Sequence, residues 1–214
     1  LSRVRIRQHV NPLSSRYQKS LTLPDWSQIY THLHQPLHLD IGCGRGNFLL
    51  QMSQLQPDVN FLGIEIREPL VIEANRQKEE LGLTNLHYLF GNINNSAEIL
   101  LSSLPSNILS RVTIQFPDPW FKKKHKKRRI VQPGLVDILA NYLVDDGEVF
   151  LQSDIEEVAK EMRDRFNEHS SFRQQHRETW LAINPLPVPT ERELYVISHD
   201  EPVYRALFKK IARS

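Results

Sequence analysis

From Leu37 onward, short apolar runs alternate with amphipathic stretches, and this alternation restricts the chain to few architectures. Runs at 37–41, 61–66, 86–90, 112–116 and 148–152 read as strands. Between and after them, 47–56, 68–81, 97–104, 133–143 and 155–169 read as helices, with Gly82 closing the second and Pro133 suiting a first turn. Strand and helix in strict alternation predict an α/β fold: a mostly parallel sheet with helices on both faces. Ligands of such sheets bind beyond the carboxyl ends of the strands. Residues 40–46, Glu65, Asn92, Asp118 and Asp154 all fall at or just past those ends. Upstream, 25–33 reads as a short helix placing Trp26, Ile29, Tyr30 and Leu33 on one face, and residues 1–24 read as a basic, polar arm. Residues 25–214 are expected to form one domain. Its tail carries Pro185, Pro187 and Pro189, then apolar runs at 194–197 and 203–208.

At 214 residues, 40% hydrophobic and 24% charged, the chain is long and apolar enough for a sizeable core, and neither disorder nor a membrane class fits. No run reaches the roughly 18 apolar residues of a membrane span. No apolar leader opens the chain, and Cys43 is its single cysteine, so a reducing cytoplasm is the expected setting. The net charge of +2 conceals a segregation. Residues 1–19 and 122–129 together carry +12 without an acid, which leaves −10 on the rest. A solvated pair of charged loops would look the same, but density beside an aromatic favours a polyanion-binding surface.

Gly42-x-Gly44-x-Gly46 lets a backbone turn tightly and approach a ligand. The dinucleotide pattern requires a glycine where Asn47 stands, so the loop alone is weak. Its partners add weight. Glu65 sits where an acid accepts two ribose hydroxyls, Asn92 where an amide reads an adenine edge, and Asp40 where a carboxylate pairs with an ammonium. Singly, each has a local explanation: Asp40 capping the loop amides, Glu65 favouring a helix start, Asn92 making a turn. Three successive strand ends together point to S-adenosylmethionine, and an acid at Asp40 opposes the pyrophosphate of NAD. Cys43 has no basic neighbour in sequence and reads as a small loop residue.

The densest chemistry follows the fourth strand. Pro117 and Pro119 stiffen the backbone around Asp118, Trp120 follows, and Lys122 begins a basic run through Arg129. The run should grip phosphates, and Trp120 either stacks on a base or packs on the sheet end. His125 has no second ligand at metal-binding spacing, so no metal site is expected.

Pro117-Asp118-Pro119-Trp120-Phe121-Lys122-Lys123-Lys124-His125-Lys126-Lys127-Arg128-Arg129 resembles the hallmark of the bacterial single-chain tRNA (guanine-N7-)-methyltransferases, with Lys124 where an Arg is usual. Thr190-Glu191-Arg192-Glu193 matches a late T-x-x-E of that family, and Arg7-Gln8-His9-Val10-Asn11-Pro12-Leu13 its N-terminal arm. The resemblance spans nearly the whole chain; Asp40 replaces the Glu of many members. It implies a Rossmann-like class I methyltransferase fold with a seven-stranded sheet, S-adenosylmethionine as donor and N7 of a guanosine at tRNA variable-loop position 46 as acceptor. It further implies Asp40, Gly42, Gly44, Glu65, Asn92 and Asp118 at the cofactor. Lys122, Asp154, Thr190, Glu191, Arg192 and Glu193 would lie at the tRNA, with Asp118 as the catalytic residue and no obligatory protein partner. Guanine N7 carries a lone pair and no proton, so Asp118 is expected to position and stabilise rather than deprotonate. Asp154 and Glu193 are candidate readers of the N1–H and amino edge, although Asp154 also suits a helix N-cap. A non-catalytic RNA-binding protein of the same fold, an exocyclic-amine methyltransferase and an NAD oxidoreductase are the competing readings.

Overall fold

A computed structural model describes residues 10–212. The elements run α1 (Trp26–Ile29), β1 (Leu37–Ile41), α2 (Asn47–Leu55), β2 (Asn60–Glu65), α3 (Glu68–Glu80), β3 (Leu86–Phe90), α4 (Ile93–Ser102) and β4 (Leu109–Gln115). They continue with α5 (Pro133–Tyr142), β5 (Glu148–Ser153), α6 (Glu156–Asn167), β6 (Phe172–Gln174), α7 (Glu191–Ser198) and β7 (Tyr204–Lys210). The sheet has seven strands in the order β3-β2-β1-β4-β5-β7-β6. The first five are parallel; β7 lies antiparallel to β5, and β6 antiparallel to β7. All of β1 and β2 is buried, as strands covered on both faces are, with His38, Asp40, Asn60 and Glu65 their polar members.

Strand order reverses between β1 and β4, so a crevice opens beyond their carboxyl ends. The main core lies under α1, α4, α5 and α6, with Leu37, Leu39, Val112, Leu139 and Phe166 fully enclosed. A second cluster, with Phe48, Met52, Phe61 and Phe150, fills the opposite face.

The helix expected over 25–33 spans only Trp26–Ile29, and one further boundary and two late elements escaped the pattern. Helix α4 begins at Ile93 rather than residue 97, because the Asn92 side chain accepts from the Asn94 N–H and caps it there. Strand β6 is three residues long and carries too little pattern to be read. The two apolar runs of the tail become α7 and the antiparallel β7. Residues 10–24 are not detached from the domain: Leu21 is buried in the main core, against Gly91. Arg3, Arg5, Arg7 and the stretch 7–9 of the arm motif lie outside the described residues.

Candidate functional site

The Gly loop leaves β1 and re-enters the chain at α2. Gly46 has φ +80°, and a Cβ there would stand 2.7 Å from the Tyr88 ring, so only glycine fits. The Tyr88 hydroxyl, buried under the loop, donates to the Gly46 carbonyl at 2.7 Å. Gly44 presents its N–H to the Glu65 carboxylate at 3.0 Å, which ties the loop to the end of β2. Cys43 sits among these groups. Burial, with Asp40 and Glu65 adding to it, pushes its thiol up, which removes it as a nucleophile.

Asp40 is buried, accepting from the Thr113 hydroxyl at 2.6 Å and from the Gln115 amide at 3.5 Å. Burial raises its pKa from the ordinary 3.8 to about 6 against the lowering effect of those two hydrogen bonds, and nearby Glu65 adds to the rise. Since Thr113 spends its proton on Asp40, His38 Nε2, 3.0 Å from the Thr113 hydroxyl, must donate. Glu65 is also buried, not the solvated helix-start acid a local reading allows. It receives the Arg67 backbone N–H and guanidinium as well as Gly44. Asn92, besides capping α4, donates to the Pro12 carbonyl, so residues 10–12 close over the end of β3.

Two clefts meet at the switch point. One is lined by Ile64, Glu65, Ile66, Asn92, Ile93 and Ile130, an apolar slot with an acid and an amide at its rim. The other is lined by Asp40, Gly44, Asp154, Thr190, Glu191 and Arg192. Gly42, Arg67, Phe116, Pro117 and Asp118 line both, so the Asp118 corner forms the wall between them. Arg67 reaches this wall and interacts electrostatically with Asp118 as well as pairing with Glu65.

The remaining sequence-derived residues divide. Asp154 does not cap α6; the Ser153 hydroxyl accepts from the Ile155 N–H, and Asp154 pairs with Arg192 across the cleft mouth. Thr190 caps α7 by accepting from the Glu193 N–H. Lys122 is exposed and lines neither cleft. Glu193 points into the interior, 1% exposed, and receives Arg205, Gln152 and Asn184. Its oxygens are committed, so it is not placed to read a base directly. Nor is Arg129 at the surface with Lys122, Lys124, Lys126 and Lys127: it is 4% exposed. Trp120 has an edge-on contact with His125 and the Arg128 guanidinium over its ring at 4.9 Å. Arg67, Tyr88 and Thr113 escaped sequence reasoning. Only Arg67, two residues beyond Glu65, carried a positional hint.

Residues 34–206 match a protein family described as putative methyltransferase. The chain is 59% identical over 98% of its length to a tRNA (guanine-N(7)-)-methyltransferase of Microcystis aeruginosa, covering 99% of that protein. A protein of the same name from Trichormus variabilis is 60% identical over 98% of this chain and 97% of its own. Among solved structures, a SAM-dependent methyltransferase from Aquifex aeolicus superposes with a TM-score of 0.56 at 15% identity, over 84% of this chain and 85% of that one. An rRNA methylase from Streptococcus thermophilus gives 0.52 at 10% identity, over 87% and 92%. These two likenesses concern the fold.

Proposed function

The chain belongs to the tRNA (guanine-N7-)-methyltransferase family, and from that premise we propose how its two clefts divide the work. It is an S-adenosylmethionine-dependent methyltransferase. The acceptor we propose is N7 of a guanosine in the tRNA variable loop. When bound, the cofactor supplies an electrophilic sulfonium methyl, and N7 needs no base because it carries no proton.

The residues fit that cofactor. The isoleucine-lined slot suits an adenine ring, Asn92 its edge, and Glu65 its ribose hydroxyls. Accepting those hydroxyls requires the Arg67 guanidinium to yield room on Glu65, leaving the Gly44 and Arg67 backbone donors in place. In the second cleft, Asp40 pairs with the amino-acid ammonium, beside the loop glycines Gly42 and Gly44. Glu65 and Asn92 would hold the donor's adenosine end and Asp40 its amino-acid end, with the guanosine entering past Asp154, Thr190, Glu191 and Arg192.

Asp118 stabilises the positive charge that guanine acquires and holds the ring in line. Lys122, exposed outside both clefts, serves a tRNA phosphate and leaves N7 free as the nucleophile. Asp154 reads the guanine edge after exchanging Arg192 for it. Glu193 acts at one remove, holding α7 so that Thr190 and Arg192 stay at the cleft. The carrying observation is the position of the Pro-Asp-Pro corner as the shared wall of both clefts. Transfer of labelled methyl to unmodified tRNA, read by nucleoside mass spectrometry, tests it. N7-methylguanosine is expected, with no transfer to tRNA carrying 7-deazaguanosine at that position. Methyl at another base position would overturn the acceptor.

A further inference from the structure

The seven cations at 122–129 look like one phosphate-binding block, yet the structure divides them. Lys122, Lys124 and Lys127 are exposed. Arg128 lies over Trp120. Lys126 and Arg129 turn the other way, towards Glu157 and Glu161, which share one face of α6 at i and i+4 spacing. Arg129 is buried and uses three edges of its guanidinium on three acceptors. Nε donates to the Pro119 carbonyl at 2.8 Å, Nη1 to Glu161 at 2.6 Å and Nη2 to Glu157 at 3.1 Å.

That carbonyl belongs to the residue directly after Asp118. The corner it terminates has an expensive backbone: Phe116 and Trp120, at its two ends, have φ +48° and +45°, a region bulky side chains disfavour. Such a conformation persists only where its surroundings over-determine it. On the incoming side the Phe116 N–H is fixed to the Gln152 carbonyl of β5. On the outgoing side Arg129, anchored on α6, holds the Pro119 carbonyl. Pro117 and Asp118 also pack with Arg129 and Glu161 around one small cavity.

We propose that Arg129 is a positioning residue for methyl transfer: with Glu157 and Glu161 it clamps the strained 116–120 corner so that the Asp118 carboxylate stays on the wall between the clefts. This rests on the assignment of Asp118 above, and it removes Arg129 from the phosphate-binding set. A planar fork serving three acceptors in different directions is a task that lysine, a point charge, does not perform.

The test compares Arg129→Lys, Arg129→Ala and Glu161→Gln with wild type. Single-turnover rates are normalised to cofactor-binding sites, and tRNA affinity is measured across salt. The clamp predicts a rate reduced by about tenfold or more in both Arg129 variants and a smaller loss in Glu161→Gln. It also predicts an unchanged salt slope. A phosphate contact predicts the reverse: Arg129→Lys close to wild type, Arg129→Ala losing about one unit of salt slope, and Glu161→Gln binding tRNA as tightly or tighter. Either a wild-type rate in Arg129→Lys or that loss of slope overturns the proposal. A purely structural role would lower the melting temperature while leaving the normalised rate intact, and would overturn it too. If Arg129→Ala does not fold, the other two variants decide. Asp118→Ala separates the two levels: full activity there sinks the site assignment, whereas an inactive Asp118→Ala with a wild-type-like Arg129→Lys sinks the clamp alone.

Discussion

Asp40 shows how much one buried carboxylate sets. Its pKa is raised from 3.8 to about 6, so in the free protein its ionised form is disfavoured. The sign follows: the stability it contributes is full below its unfolded value and is lost as pH rises through about 6, a cost on the order of 3 kcal/mol at the upper bound. An ammonium beside it relieves that cost, so cofactor affinity should be greatest near pH 7 and weaken as pH falls below about 6. Calorimetric titration from pH 5 to 8 checks this; a flat profile would contradict it. Asp40→Asn should abolish the pH dependence and weaken binding by about 10- to 100-fold, the worth of a charge-assisted hydrogen bond. Gly46 is the second sensitive position. Gly46→Ala must adopt φ +80° and push into the Tyr88 ring. Denaturant unfolding should show a loss of about 2 kcal/mol or more, and a loss under 0.5 would mean that the loop relaxes freely.

Among the elements, α7 is held by the least conspicuous contact in the sequence. The Glu193–Arg205 pair is almost fully enclosed, with Gln152 and Asn184 completing the carboxylate's partners. Glu193→Ala strands a buried guanidinium, and a destabilisation of about 3–5 kcal/mol is expected. Equilibrium unfolding measures it; a variant of native stability with altered base selection would restore Glu193 as a direct reader. The element scale is also where sequence and structure part company. Strands β1 to β5 and their helices were legible because each buries a continuous apolar face with a clear period. The Gly loop was legible because its backbone demands glycine. Strand β6 was not, being too short for any period, nor was the antiparallel return of β7, which depends on pairing partners remote in sequence. That Asp40, Glu65, Asn92 and Asp118 stand around the crevice was legible from their places at strand ends; their roles are proposals. The inward turn of Glu193 and Arg129 was not, because a charged residue looks solvated until its buried partner is known.

Among the described residues, Lys122, Lys124 and Lys127 are exposed just past the Asp118 corner in the chain. Replacing Lys122, Lys124 and Lys127 together should lower the dependence of log affinity on log salt by about three, weakening all tRNAs alike. A change in which tRNAs are accepted, at constant slope, would mean that these lysines read structure rather than phosphate. In the proposed mechanism Asp118, on the wall between two clefts, acts in the chemical step by charge and position. Its most direct test is the single-turnover methylation rate of Asp118→Ala and Asp118→Asn against wild type, with cofactor and tRNA binding measured on the same preparations across pH. Binding within a few-fold of wild type is expected, with a rate lowered by about 100-fold or more. A wild-type rate in either variant would contradict it.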